Sequence, residues 1–200
     1  MGCGTSKSAE EKPNEKAPDQ VQNNQKNKQA KKPSEIKQEV AKVQVKSKSK
    51  KEIFIESALK MHNEYRAQHG AEPLTVSEDL NKIAQKYAEH IAKLNQMVHS
   101  QSKYNGEHLG ENLYWCSGME IDGADMTTSW YDEIHDYNFN KPGFKNGTGH
   151  FTQVVWKGSK QVGFGYAQSK DGAYFGVANY FPGGNINTPE YFRENVQKKS

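Results

Sequence analysis

Apolar and polar positions follow two different periods along this 200-residue chain, and its first quarter has almost no pattern at all. Up to residue 52 the helical recurrence is Ile36, Val40 and Val43 among lysines. Three modest residues make at most a turn or two of basic amphipathic helix, so the stretch reads as an unstructured spacer. From about Glu52 to His69, Phe54, Ala58, Met61 and Tyr65 share a stripe that predicts a helix, and Gly70 is placed to stop it. Ser77 is a good N-cap for a second helix, with Glu78 and Asp79 in its first turn. Its stripe, Leu80, Ile83, Ala84, Tyr87, Ala88, Ile91 and Leu94, is the clearest in the chain.

A long polar segment, Asn95 to Gly110, interrupts the helices and ends in an apolar Leu113-Tyr114-Trp115 anchor. Loops of this length inside a compact domain tend to be functional or disordered, and the anchor predicts one that is pinned down. A third helix is expected from about Gly123 to Tyr137, with Met126, Trp130, Ile134 and Tyr137 inward. A fourth, short one carries Phe151, Val154 and Val155 on one face, His150 in its first turn, and Thr148 or Gly149 as cap. The period then changes. Val162–Ala167 and Tyr174–Tyr180 read as strands around Lys170-Asp171-Gly172, where Asp-Gly signals a hairpin. Helices early and strands late predict an α+β fold with a helix-covered sheet.

Composition divides the chain where the pattern does. Residues 1–52 hold no Phe, Tyr or Trp and carry 13 Lys against 7 acidic residues. Residues 53–200 carry 14 basic and 17 acidic residues, so the net +3 hides a basic tail on a mildly acidic domain. The tail cannot bury enough apolar surface to offset its ordering entropy and is expected to be disordered. The remaining 53–200 has the size of one domain with one core. Positive charge confined to the tail is a poor fit to nucleic acid.

No apolar run is long enough to span a bilayer, and none follows the first residues as a signal peptide would. With only Cys3 and Cys116, a disulfide framework is not expected, and the chain reads as cytosolic. Cys116 reads as a small buried residue. The start Met1-Gly2-Cys3-Gly4-Thr5-Ser6 fits N-myristoylation of Gly2, with Cys3 beside it for palmitoylation. One myristoyl chain binds membranes marginally and a second signal secures it, here Cys3 acylation or Lys46, Lys48, Lys50 and Lys51.

His150, at the edge of an apolar run, is expected to close a site whose other members come from earlier in the chain. His62 and His69 are expected at the surface or core edge, and His90 as a satisfied polar neighbour. Gly149-His150-Phe151-Thr152-Gln153-Val154-Val155-Trp156 resembles the first signature of the CAP superfamily, named for cysteine-rich secretory, antigen 5 and pathogenesis-related proteins. Val177–Ile186 resembles the second, and His62–Arg66, Gly110–Leu113 and Trp130–Glu133 match supporting segments in order across 53–195. The resemblance implies a three-layer α-β-α sandwich. Most of the family is secreted and disulfide-bonded, with a cysteine where this chain has Ala178. Together with the acylation motif, that departure looks like the intracellular, Golgi-associated branch.

The resemblance also implies a central cleft lined by His99, Glu111, Glu133 and His150. Two neutral imidazoles suit Zn²⁺ or another divalent cation, and carboxylates can orient them. The same groups suit general acid–base work, so a metal-dependent hydrolase stays open, although Ser100 beside His99 lacks a nucleophile-elbow context. Glu107 and His108 are expected as exposed loop residues. The expected function is a lipid-anchored binding module on the cytosolic face of Golgi or other membranes. It would engage anionic phospholipids or sterols, protein partners, and a second copy as a homodimer. A secreted effector or defence protein, placed outside the cell, is the remaining alternative.

Overall fold

The computed structural model describes residues 47–200. The expected acylation at Gly2 and Cys3, the tail disorder and the Ile36–Val43 turn lie outside those residues. Helix α1 (Lys50–Gln68) starts slightly before the expected point, because Ser49 and Glu52 form a reciprocal capping box. Strand β1 (Thr75–Val76) and helix α2 (Glu78–Leu94), capped by Ser77, follow. Part of the long polar segment forms a small ribbon of β2 (Lys103–Tyr104) and β3 (Glu107–His108), ahead of β4 (Gly110–Cys116). Helix α3 (Gly123–Tyr131), capped by Asp122, tightens into a 3₁₀ turn over Asp132–Asp136 instead of running on to Tyr137. Helix α4 (Gly149–Val154), the strands β5 (Gln161–Gln168) and β6 (Tyr174–Phe181), and α5 (Pro189–Asn195) complete the chain.

The sheet runs β1-β5-β6-β4, antiparallel except where β1 joins β5. Period-two alternation sends its residues into two cores. Phe175 and Val177 meet Ala84, Ala88 and Ile91 of α2 on one face. Val162, Phe164, Ala178 and Tyr180 meet α1, α3 and α4 on the other, with Trp130, Phe151 and Trp156. This is the expected α-β-α sandwich. Gly163 and Gly165 let α2 settle directly on β5, since a Cβ at Gly163 would lie 2.1 Å from the Leu80 carbonyl carbon.

Several side chains depart from expectation. The buried stripe of α1 is Phe54, Ala58, His62 and Arg66, while Met61 and Tyr65 are only half-buried. His62 and His69 are therefore core residues, bonded to the hydroxyls of Tyr180 and Tyr131 at 2.8 Å each. Burial drives the His62 pKa down to about 3, and that imidazole is neutral. Arg66 sends its guanidinium to the carbonyls of Glu72, Val154, Trp156 and Ser159. Leu94 and Trp115, expected inside, are exposed, as is His90: Leu94 is the last residue of α2, His90 lies on the helix's outer side between buried Ala88 and Ile91, and Trp115 sits near the end of the edge strand β4. Ala178 fills its position in the core with no room exposed to solvent.

The Gly163→Ala variant should lose about 3 kcal/mol of stability, because the added methyl meets main chain that cannot rotate away. Urea denaturation against the unsubstituted protein measures it.

Candidate functional site

Helix α4 has only six residues, too few to hold itself together, and its surroundings fix it. Thr148 occupies the N-cap position, yet its hydroxyl donates to the Lys145 carbonyl at 2.8 Å instead of capping. The cap comes from the 3₁₀ turn after α3. Glu133 Oε2 accepts from the backbone N–H of His150 at 2.8 Å and of Phe151 at 3.2 Å. Its other oxygen, Oε1, lies 2.7 Å from His150 Nδ1. One carboxylate thus caps the helix and fixes the imidazole at its start. Buried Phe151, Val154, Val155 and Trp156 anchor the rest.

The second half is built on β4. Glu111 Oε1 lies 2.9 Å from His99 Nδ1 and accepts from the Ser100 N–H at 2.8 Å. Ser100 Oγ donates to Glu111 Oε2 at 2.5 Å, so that hydroxyl is tied to a carboxylate and not to an imidazole. Asn179 of β6 reaches the same oxygen at 3.4 Å. The acid is buried while His99 is 62% exposed, so the carboxylate is the fixed partner and the imidazole the free arm.

All four predicted residues border one cleft of about 210 Å³. Each imidazole commits Nδ1 to a carboxylate, and neither Nε2 has a hydrogen-bond partner among the described residues. Among those residues no group of three or more acidic, His or Cys side chains is gathered as a ready metal cage. The site is two histidine–carboxylate pairs facing a common space. Such carboxylates fix tautomer and orientation and strengthen the remaining nitrogen as a ligand. Asn185 and Phe144, which sequence reasoning did not single out, also line the cleft. Asn185 lies within the second signature motif, holds a positive φ of 57°, and bonds both the Gly149 carbonyl and the Thr152 hydroxyl. Glu107 and His108 are exposed on the ribbon, as expected.

Behind the cleft runs a neutral chain of bonds. His62 Nδ1 faces the Ala58 carbonyl at 2.7 Å, which leaves Nε2 to accept from the Tyr180 hydroxyl. Asn112 donates to that same hydroxyl at 3.2 Å and to the His150 carbonyl at 3.1 Å. The backbone of His150 is thereby tied to α1 through the sheet.

Burial pushes the Glu111 carboxyl up, but its bonds from His99 and Ser100 outweigh that and leave it below the ordinary value. The Glu133 carboxyl falls for the same reason, with His150 as the donor. Glu111 in turn raises the His99 pKa through its hydrogen bond.

The chain matches the family described as "CAP: Cysteine-rich secretory protein family" over residues 59–180. It is 46% identical over 149 residues to Golgi-associated plant pathogenesis-related protein 1 of Homo sapiens, covering 74% of this chain and 96% of that one. It is 38% identical over 130 residues to pathogenesis-related protein 1C of Nicotiana tabacum, covering 64% and 74%. The crystal structure of NaASP2 with Zn²⁺ superimposes with a TM-score of 0.54 at 21% identity, over 72% of this chain and 85% of that one. At that identity the likeness carries the fold.

A folded pKa raised at His99 gives stability that is full below 6.5 and lost as pH rises through the raised value. A folded pKa lowered at Glu111 gives stability present above 4.5 and lost as pH falls. Both contributions coexist between those two values. Glu111→Gln should therefore cost more stability at a pH inside that window than above the raised His99 value, and paired urea titrations at the two pH values check it.

Proposed function

The chain belongs to the CAP, or cysteine-rich secretory protein, family, and from that premise we propose a membrane-anchored binding module whose cleft takes a divalent cation. The observation that carries the cation reading is the shared geometry of the two imidazoles. His99 and His150 each give Nδ1 to a glutamate and keep Nε2 for the cleft they share. The donor set fits Zn²⁺, which accepts imidazole nitrogen readily and fills its remaining positions with water or a ligand's own donors. Bound there, the cation would supply a Lewis-acidic anchor for an anionic or carbonyl group. Glu111 and Glu133 hold the rings in place, and Asn185 and Phe144 shape the approach. The Zn²⁺ in the NaASP2 structure is in keeping with this reading.

A binding role is favoured over a serine nucleophile because Ser100, next to His99, spends its hydroxyl proton on Glu111. Among the described residues no imidazole is hydrogen-bonded to that hydroxyl to take its proton, as nucleophile activation requires.

Attachment to the cytosolic face of Golgi or other membranes rests on the Gly2-Cys3 motif with its lysine-rich tail, and the Golgi-associated relative supports it. No described helix is long and apolar enough to cross a membrane. Anionic phospholipids are the partners that a basic tail favours.

Zn²⁺ at a hundredfold excess over its dissociation constant should raise unfolding free energy by about 2.7 kcal/mol. His99→Ala with His150→Ala should abolish the gain, and thermal melts with calorimetry decide it. The effect should fade in acid as protons displace the cation from imidazole.

Gly2→Ala should move the protein from the membrane to the soluble fraction of cells. An unchanged membrane fraction would remove acylation from the account.

A further inference from the structure

The segment that delivers His99 to the cleft also borders a second and larger cavity, of about 570 Å³, along α2. Ile83 and Tyr87 give it apolar lining, Lys86, Lys93 and Lys103 give three positive charges, and Glu89 gives one negative. Beyond it, where Asn95 ends the helix in a left-handed conformation, stand Leu94, Met97 and Val98, exposed by 46%, 45% and 42%. Three aliphatic side chains within five residues, left in water beside a lysine-rimmed groove, are not accounted for by the core or by the cleft. The two cavities have no lining residue in common, but one short stretch of chain joins them. The Tyr87 hydroxyl donates to the Val98 carbonyl at 2.6 Å, His99 and Ser100 hold Glu111, and Ser102 N–H donates to Ser100 Oγ at 3.1 Å before Ser102 itself lines the groove.

We propose that the α2 groove and the Leu94–Val98 ridge dock the domain on an anionic phospholipid bilayer, and that docking and cation binding are linked through the Tyr87–Val98 hydrogen bond. The inference rests on the membrane and cation readings above and adds to them a surface and a coupling. Charge selects the occupant. Aliphatic side chains enter the boundary between headgroups and acyl chains while neighbouring lysines meet phosphates, and the excess of Lys over Glu on this face matches an anionic leaflet. The coupling follows from shared structure. A bilayer that fixes Val98 and a cation that fixes His99 order the same few residues, so each lowers the ordering cost left for the other, and the effect is reciprocal.

The test uses the full-length chain prepared without acylation, so that the anchor contributes nothing. It is sedimented with phosphatidylcholine vesicles with and without phosphatidylserine, with and without Zn²⁺. Leu94→Asp with Met97→Asp, and Lys86→Glu with Lys93→Glu, should each lower phosphatidylserine-dependent binding about tenfold while far-UV circular dichroism stays native. Zn²⁺ should raise binding of the unsubstituted chain severalfold. That increment should vanish in His99→Ala and in Tyr87→Phe, although Tyr87→Phe still binds Zn²⁺ in solution.

Face variants that bind like the unsubstituted chain would assign all attachment to the tail and overturn the surface. Displacement by soluble glycerophosphoserine would make the groove a seat for a free anion and overturn the bilayer. A Zn²⁺ increment that survives Tyr87→Phe would mean simple cation bridging and overturn the link. The anchor and the cation site stand or fall separately, by the Gly2→Ala fractionation and by Zn²⁺ calorimetry without vesicles.

Discussion

The cleft depends on a buried guanidinium. Arg66 carries its charge into the core with hydrogen bonds that all run to backbone carbonyls, and burial lowers its pKa to about 10. A charge in that position is tolerable only if its donors are satisfied, and four carbonyl groups do so. Two of them, Val154 and Trp156, lie at the C-terminal end of α4, where a cation complements the helix dipole. Glu133 holds the opposite end. A six-residue helix with a cation at its tail and an anion at its head has little freedom to shift, and His150 sits in its first turn.

Each glutamate therefore acts in two ways. Glu133 is a helix cap that also orients an imidazole, and Glu111 is a loop clamp that does the same for His99. The His62–Tyr180–Asn112 chain behind them is neutral and brings no further charge to the cleft. The pairs differ in rigidity. His150 is braced through its backbone and its ring, whereas His99 rides on an exposed segment that also answers to the α2 groove.

Much of the fold was legible in the spacing of apolar residues. Four helices and the late hairpin follow from periods that a chain of this composition must bury, whereas the edge strands β1 and β4 and the helix α5 were not read from them. The errors cluster where burial is not hydrophobic. On α1, Met61 and Tyr65 looked like the stripe, but His62 and Arg66 took the buried face because carbonyls and tyrosine hydroxyls across the core satisfy them. Hydropathy cannot register a polar side chain whose partners are far away in sequence. Leu94 and Trp115 failed in the opposite sense: Leu94 is the last residue of α2, and Trp115 sits near the end of the edge strand β4, where a paired backbone still leaves an apolar side chain in water.

The sequence by itself determined the family, the layered architecture and the four side chains of the site, because signature motifs and periodicity are local properties of the chain. Tertiary structure alone decided how those side chains act together. Glu133 and His150 are seventeen residues apart, Glu111 and His99 twelve, and only the packed sandwich turns them into two oriented pairs facing one space. The same packing made Glu133 the cap that Thr148 had seemed placed to supply, since a carboxylate from a neighbouring turn lay closer to the free N–H groups than the local hydroxyl did.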